Sequence, residues 1–159
     1  MPAIIALVMQ PIIAIIGRPN VGKSTLFNRL IGKKLSITSP VAGTTRDRVY
    51  HEAEVDGYGV ILADTGGMEF EKKSDIEADV QTQARIAAQE ADLVYFVVDG
   101  SAPLTSTDID VAQYLRASGK AIMLIAHKAD KRISAEIFPE LYRLGLGEPA
   151  AVSSRYLRA

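Results

Sequence analysis

The chain has 159 residues, 48% of them hydrophobic, with a formal charge of −1 and no cysteine. That length suits one domain with a well-formed core and is too short for two ordinary ones. The lack of cysteine excludes disulfides, thiol chemistry and cysteine-held metals and fits a reducing compartment, while the near-neutral charge gives no sign of a broad nucleic-acid-binding surface.

Residues 4–9 are apolar but too few to span a bilayer, and no basic segment with a cleavage site accompanies them, so a cytoplasmic chain is expected. Residues 4–8 read Ile-Ile-Ala-Leu-Val and are nearly repeated by Ile-Ile-Ala-Ile-Ile at 12–16, with Pro11 breaking the run between them. Residues 1–11 are therefore read as an N-terminal extension whose role the sequence leaves open: an added edge strand, an artefact or a tail. Residues 12–159 form the domain.

The second copy runs into Gly17-Arg18-Pro19-Asn20-Val21-Gly22-Lys23-Ser24, two glycines separated by four residues and followed by Lys-Ser. A loop of this kind wraps its backbone N–H groups around a phosphate chain. Glycines permit the wrapping, Lys23 reaches the β and γ oxygens, and the Ser24 hydroxyl binds Mg²⁺. Residues 24–31 then carry apolar groups at helical spacing, so the anion lies at a helix N-terminus, with Thr25 just behind Ser24. Strand before and helix after support a nucleoside triphosphate site built from residues 17 to 25.

Residues 39–48, Ser-Pro-Val-Ala-Gly-Thr-Thr-Arg-Asp-Arg, are polar and aperiodic and read as a switch whose order depends on nucleotide state. The β-prone runs 49–55 and 58–63 flank Asp56-Gly57, a strong hairpin signal. Just past them, Asp64-Thr65-Gly66-Gly67 puts a carboxylate at a strand end: Asp64 can hold the metal through a water and the Gly67 N–H can meet the γ-phosphate. The runs 93–98 and 121–126 are continuously apolar, as strands buried on both faces of a parallel sheet are. Helical patterns at 74–90, 107–117 and 134–144 alternate with them, and a short strand follows near 151–152. The prediction is an α/β, three-layer P-loop domain: a mostly parallel sheet with one antiparallel edge strand, and ligands at the carboxyl ends of the strands. Such a fold usually carries one more helix than the residues after 152 supply, so the sheet face there is expected to be partly uncovered.

After the 121–126 strand comes His127-Lys128-Ala129-Asp130. An aspartate here can accept from both N1–H and N2–H₂ of guanine, and the stem of Lys128 can lie over the purine; adenine offers no matching donor pair. His127 has two readings, a hydrogen-bonding group for the nucleotide or a structurally packed ring.

Together the phosphate-loop run, Thr45-Arg46-Asp47-Arg48, Asp64-Thr65-Gly66-Gly67, Ala91-Asp92-Leu93, Val97-Val98-Asp99-Gly100 and Leu144-Gly145-Leu146-Gly147-Glu148-Pro149 resemble the first G domain of the Der (EngA) family of bacterial GTPases over residues 12–154. The resemblance implies a GTP/GDP switch with Mg²⁺ that acts in assembly of the large ribosomal subunit, touching the subunit or its RNA mainly through regions outside this chain. It implies that Lys23 binds the β and γ phosphates, that Ser24 and Thr45 ligate Mg²⁺ with support from Asp64, and that Lys128 and Asp130 clasp guanine. It also implies that Asn20 coordinates K⁺ beside the phosphates, as in potassium-stimulated relatives. Lys23, Thr45, Gly67 and Asn20 are thus the expected catalytic set. Ser153 and Ser154 stand where a Ser-Ala pair usually offers a backbone N–H to the guanine O6.

This chain departs from that pattern at His127, which occupies the place of an asparagine and puts guanine affinity in question, and in residues 156–159, which do not continue it. Met68 stands where several GTPases place a water-orienting glutamine, and since Met cannot position water, slow hydrolysis is expected. Two other readings stay open: a nucleotide-binding interaction module without turnover, and a P-loop ATPase.

Overall fold

The computed structural model describes residues 10–18, 21–31, 39–40, 49–55, 57–64, 76–127 and 137–151. In chain order the elements are β1 (Ile12–Gly17), α1 (Lys23–Ile31), β2 (Ser39–Pro40), β3 (Val49–Val55), β4 (Tyr58–Asp64), α2 (Ile76–Glu90), β5 (Leu93–Asp99), α3 (Ser106–Ala117), β6 (Ala121–His127), α4 (Ile137–Arg143) and β7 (Ala150–Ala151). The strands form one sheet in the order β2-β3-β4-β1-β5-β6-β7.

β1, β4, β5, β6 and β7 run parallel, and β3 alone runs against them, pairing antiparallel with both β4 and β2. The mostly parallel sheet read from the sequence is therefore present. Its outermost strand is the two-residue β2 rather than β3, a contact too short for any periodicity to announce. The expected hairpin joins β3 to β4, with Gly57 at φ +82°, a left-handed conformation that glycine adopts without penalty.

Period-two alternation divides the buried strands between two helical layers. Ala14 and Ile16 of β1, Val94, Phe96 and Val98 of β5, and Leu124 and Ala126 of β6 pack with Val80, Ala84 and Ala87 of α2, Val111 and Leu115 of α3, and Leu141 of α4. Ile13, Ile15, Tyr95, Val97 and Ile125 point the other way, into a cluster with Val21 and with Leu26 and Phe27 of α1. Strands that feed both layers have no polar face, which is why β1 and β5 read as unbroken apolar runs. On the α1 side of β6, Met123 is 42% exposed.

α3 opens with a complete capping box: Thr105 Oγ1 accepts from the Asp108 N–H at 3.2 Å and the Thr105 N–H donates to Asp108 Oδ2 at 3.0 Å. Among the described residues no helix is long and apolar enough to cross a membrane.

Candidate functional site

β1 is the central strand, with β4 on one side and β5 on the other. The chain order reverses there, so the carboxyl end of β1 is where such sheets bind ligands. Register places Asp64 opposite Ile15, Val97 opposite Gly17 and His127 opposite Asp99, which brings the ends of β1, β4, β5 and β6 to one edge.

Two glycines shape the loop between β1 and α1. At Gly17 a Cβ would stand 2.6 Å from the Val97 carbonyl oxygen, so the loop leaves the sheet in direct contact with the β5 backbone. At Gly22 φ is +97°, and a Cβ would stand 2.0 Å from His127 Nδ1. The loop can take this course only without side chains at those positions. α1 starts immediately, with the Leu26 N–H donating to the Gly22 carbonyl at 2.9 Å. Residues 23–25 thus form the first turn, where N–H groups lack intrahelical acceptors and favour an anion.

Lys23 is buried, and its Nζ donates to the Gln83 Oε1 of α2 at 3.2 Å and, at a long 3.4 Å, to the Gly17 carbonyl. These two oxygens hold the ammonium at the foot of the loop. Ser24 and Thr25 are exposed beside it. Arg18, the first residue past β1, is bound sideways: its Nε donates at 2.9 Å to Oδ1 of the buried Asp108 on α3.

Asp64 is the last residue of β4, inside the strand rather than just beyond it. His127 ends β6, buried at 3% exposure, with its ring against Gly22 and its carbonyl accepting from the Gly100 N–H. The ring is thus seated against the loop at Gly22. Gly17, Arg18, Val21, Gly22, Lys23, Ser24, Thr25, Asp64 and His127 are therefore gathered on one edge. Pro19, Asn20, Thr45, Gly67, Lys128, Asp130, Ser153 and Ser154 lie outside the described residues, as do Met68 and the extension 1–9.

Hard oxygen donors suit Mg²⁺, and the exposed Ser24 hydroxyl at the helix start with the Asp64 carboxylate on the neighbouring strand are donors of that kind. Among the described residues no three His, Asp or Glu gather into a metal cluster. A cavity of about 320 Å³ between α2 and α3, lined by Gln81, Arg85, Asp110 and Tyr114, contains none of the predicted site residues.

Sequence reading missed Gln83 and Asp108. Gln83 was marked as a polar residue on the buried stripe formed with Val80, Ala84 and Ala87. Asp108 was marked by Thr105-Ser106-Thr107-Asp108, a capping-box spacing ahead of an apolar helix face.

A family model described as 50S ribosome-binding GTPase matches residues 12–128. GTPase Der of Leptothrix cholodnii is 50% identical over 148 residues, 93% of this chain and 33% of that protein. The chain thus spans about a third of the length of the curated relatives it matches. Among solved structures, Aquifex aeolicus Era Y63A bound to GDP·AlF4⁻ superposes with a TM-score of 0.65 at 33% identity, over 91% of this chain and 51% of that one. Era in complex with MgGDPNP and nucleotides 1506–1542 of 16S ribosomal RNA gives 0.64 at 32% identity, with the same coverage.

Proposed function

The chain belongs to the 50S ribosome-binding GTPase family, and from that premise we propose that it is a guanine-nucleotide switch that hydrolyses GTP to GDP slowly, is stimulated by K⁺ and works in the cytoplasm on assembly of the large ribosomal subunit. The observation that carries the nucleotide part is Lys23, buried at the first turn of α1 behind a loop that only glycines can trace. A fixed cation at the N-terminal turn of a helix, set in place before the substrate arrives, favours the charge that builds on a transferring phosphoryl group.

In this reading the backbone of residues 17–25 binds the phosphates and Lys23 holds the β and γ oxygens. Ser24, Thr45 and Asp64 are the groups for Mg²⁺, which when bound neutralises charge across the β and γ phosphates. Thr45 and Gly67 engage only a nucleotide with a γ-phosphate, which makes their loops state-dependent. Lys128 and Asp130 select guanine, with the backbone at Ser153 and Ser154 contributing to the base pocket. Asn20 is the group for K⁺, whose charge there replaces that of an arginine finger, and Met68 leaves the attacking water without a side-chain partner. The ribosomal role rests on likeness to GTPase Der and to Era, which has been solved with ribosomal RNA.

Calorimetry with GDP, GTP and ATP in Mg²⁺ and K⁺, on the parent and on Asp130→Ala, tests this. Guanine preference in the parent that vanishes in the variant is expected, with phosphate release faster in KCl than in NaCl. Equal binding of ATP would overturn the guanine assignment. Binding with no turnover in either salt would make the chain an interaction module, and equal rates in the two salts would remove the K⁺ role.

A further inference from the structure

Asp108 is 1% exposed on the face of α3 that also buries Val111, Ala112 and Leu115. A carboxylate is found in such surroundings only when its oxygens are matched. Its two oxygens serve different elements. Oδ2 accepts from the Thr105 N–H and completes the capping box, whereas Oδ1 accepts from Arg18 Nε, 90 residues away in sequence. Capping α3 needs only the first of these. A capping carboxylate is ordinarily solvated at a helix start; here it is buried and spans from α3 to the residue that begins the phosphate loop.

We propose that Asp108 is a positioning residue for the phosphate loop, acting through the Arg18 guanidinium, so that the start of α3 and the nucleotide site are energetically coupled. Arg18 directly follows Gly17, whose backbone is pressed against β5. Fixing Nε fixes the stem of Arg18 and, through it, the loop's first residue. The ordering cost of the loop is then met by the folded protein rather than at the moment of binding. Coupling is reciprocal, so bound nucleotide in turn secures the first turn of α3. The proposal rests on the nucleotide-binding reading.

The experiment compares dissociation of a fluorescent GDP from the parent, Arg18→Ala, Asp108→Asn, their double variant and Thr105→Ala, with the melting temperature of each nucleotide-free protein. Thr105→Ala removes the Oγ1 half of the capping box and leaves both the Thr105 N–H bond to Asp108 Oδ2 and the ion pair. Arg18→Ala and Asp108→Asn should each speed release about tenfold, because a loop that the protein no longer holds in place must be ordered at the expense of nucleotide binding. The double variant should be no faster than either single one, and Thr105→Ala should stay within about twofold of the parent even where its melting temperature falls as far. Additive losses, or equal acceleration by Thr105→Ala, would overturn the proposal. So would a far larger loss in Arg18→Ala than in Asp108→Asn, which would mean that the guanidinium touches phosphate itself. A parent that binds no GDP would overturn the nucleotide reading and this one with it, whereas a parent that binds and variants that release at its rate would overturn this one alone.

Discussion

At Gly22 two constraints act on one Cβ: the backbone is left-handed, at φ +97°, and the His127 ring occupies the space the new atom would need. The first costs Gly22→Ala about 1–2 kcal/mol. The second adds an overpacking cost of about 1–3 kcal/mol, because His127 is 3% exposed and its ring has no open side to swing into. The two can be separated. Urea denaturation of Gly22→Ala, His127→Ala and the double variant should show the double losing less than the sum of the singles by about the overpacking term, since removing the ring removes the clash and leaves the backbone strain. Strict additivity would mean that the ring does not press on the loop. The glycine spacing was legible from sequence because the loop's geometry is local. The seat of His127 was not, because Gly22 and His127, 105 positions apart, are brought together by the sheet alone. The same holds for the bond from Lys23 to Gln83 and for that from Arg18 to Asp108.

At the level of elements, legibility followed local pattern. β1 and β5 announced themselves as apolar runs because both faces are buried, and the β3–β4 hairpin by Asp56-Gly57 between two alternating strands, where His51 and Ala53 are buried and Glu52 and Glu54 exposed. β2 gave no signal, being two residues in a polar stretch whose pairing depends on β3. The hairpin turn lies at the start of β4, at the far end of that strand from Asp64. Gly57 has φ +82° and open space around it, so Gly57→Ala meets backbone strain and no clash. It should cost about 1 kcal/mol, which in a chain of this size is a drop in melting temperature of about 2–4 °C. GDP affinity should be unchanged. A loss of affinity would mean that strain at the turn travels the length of β4 to the nucleotide end.

For the whole molecule, the sheet order puts every described site group on one edge. α1 supplies the helix start, β4 and β6 the flanking ends, and α2 and α3 the partners Gln83 and Asp108. Each of these elements is held by its own packing, so the site is assembled by folding and is lost when the molecule unfolds. A ligand that binds this edge therefore binds the folded state alone and must stabilise the whole domain by mass action. At a GDP concentration one hundred times its dissociation constant the gain is about 2.7 kcal/mol, equivalent to about 5–11 °C in melting temperature for a chain of this length. ADP at the same concentration should give little shift, and the rise with GDP should track the logarithm of its concentration. The Asp130→Ala variant should keep the nucleotide-free melting temperature of the parent and lose most of the GDP shift. A full shift in that variant would mean that the phosphate edge alone holds the ligand and that the base is not read by Asp130.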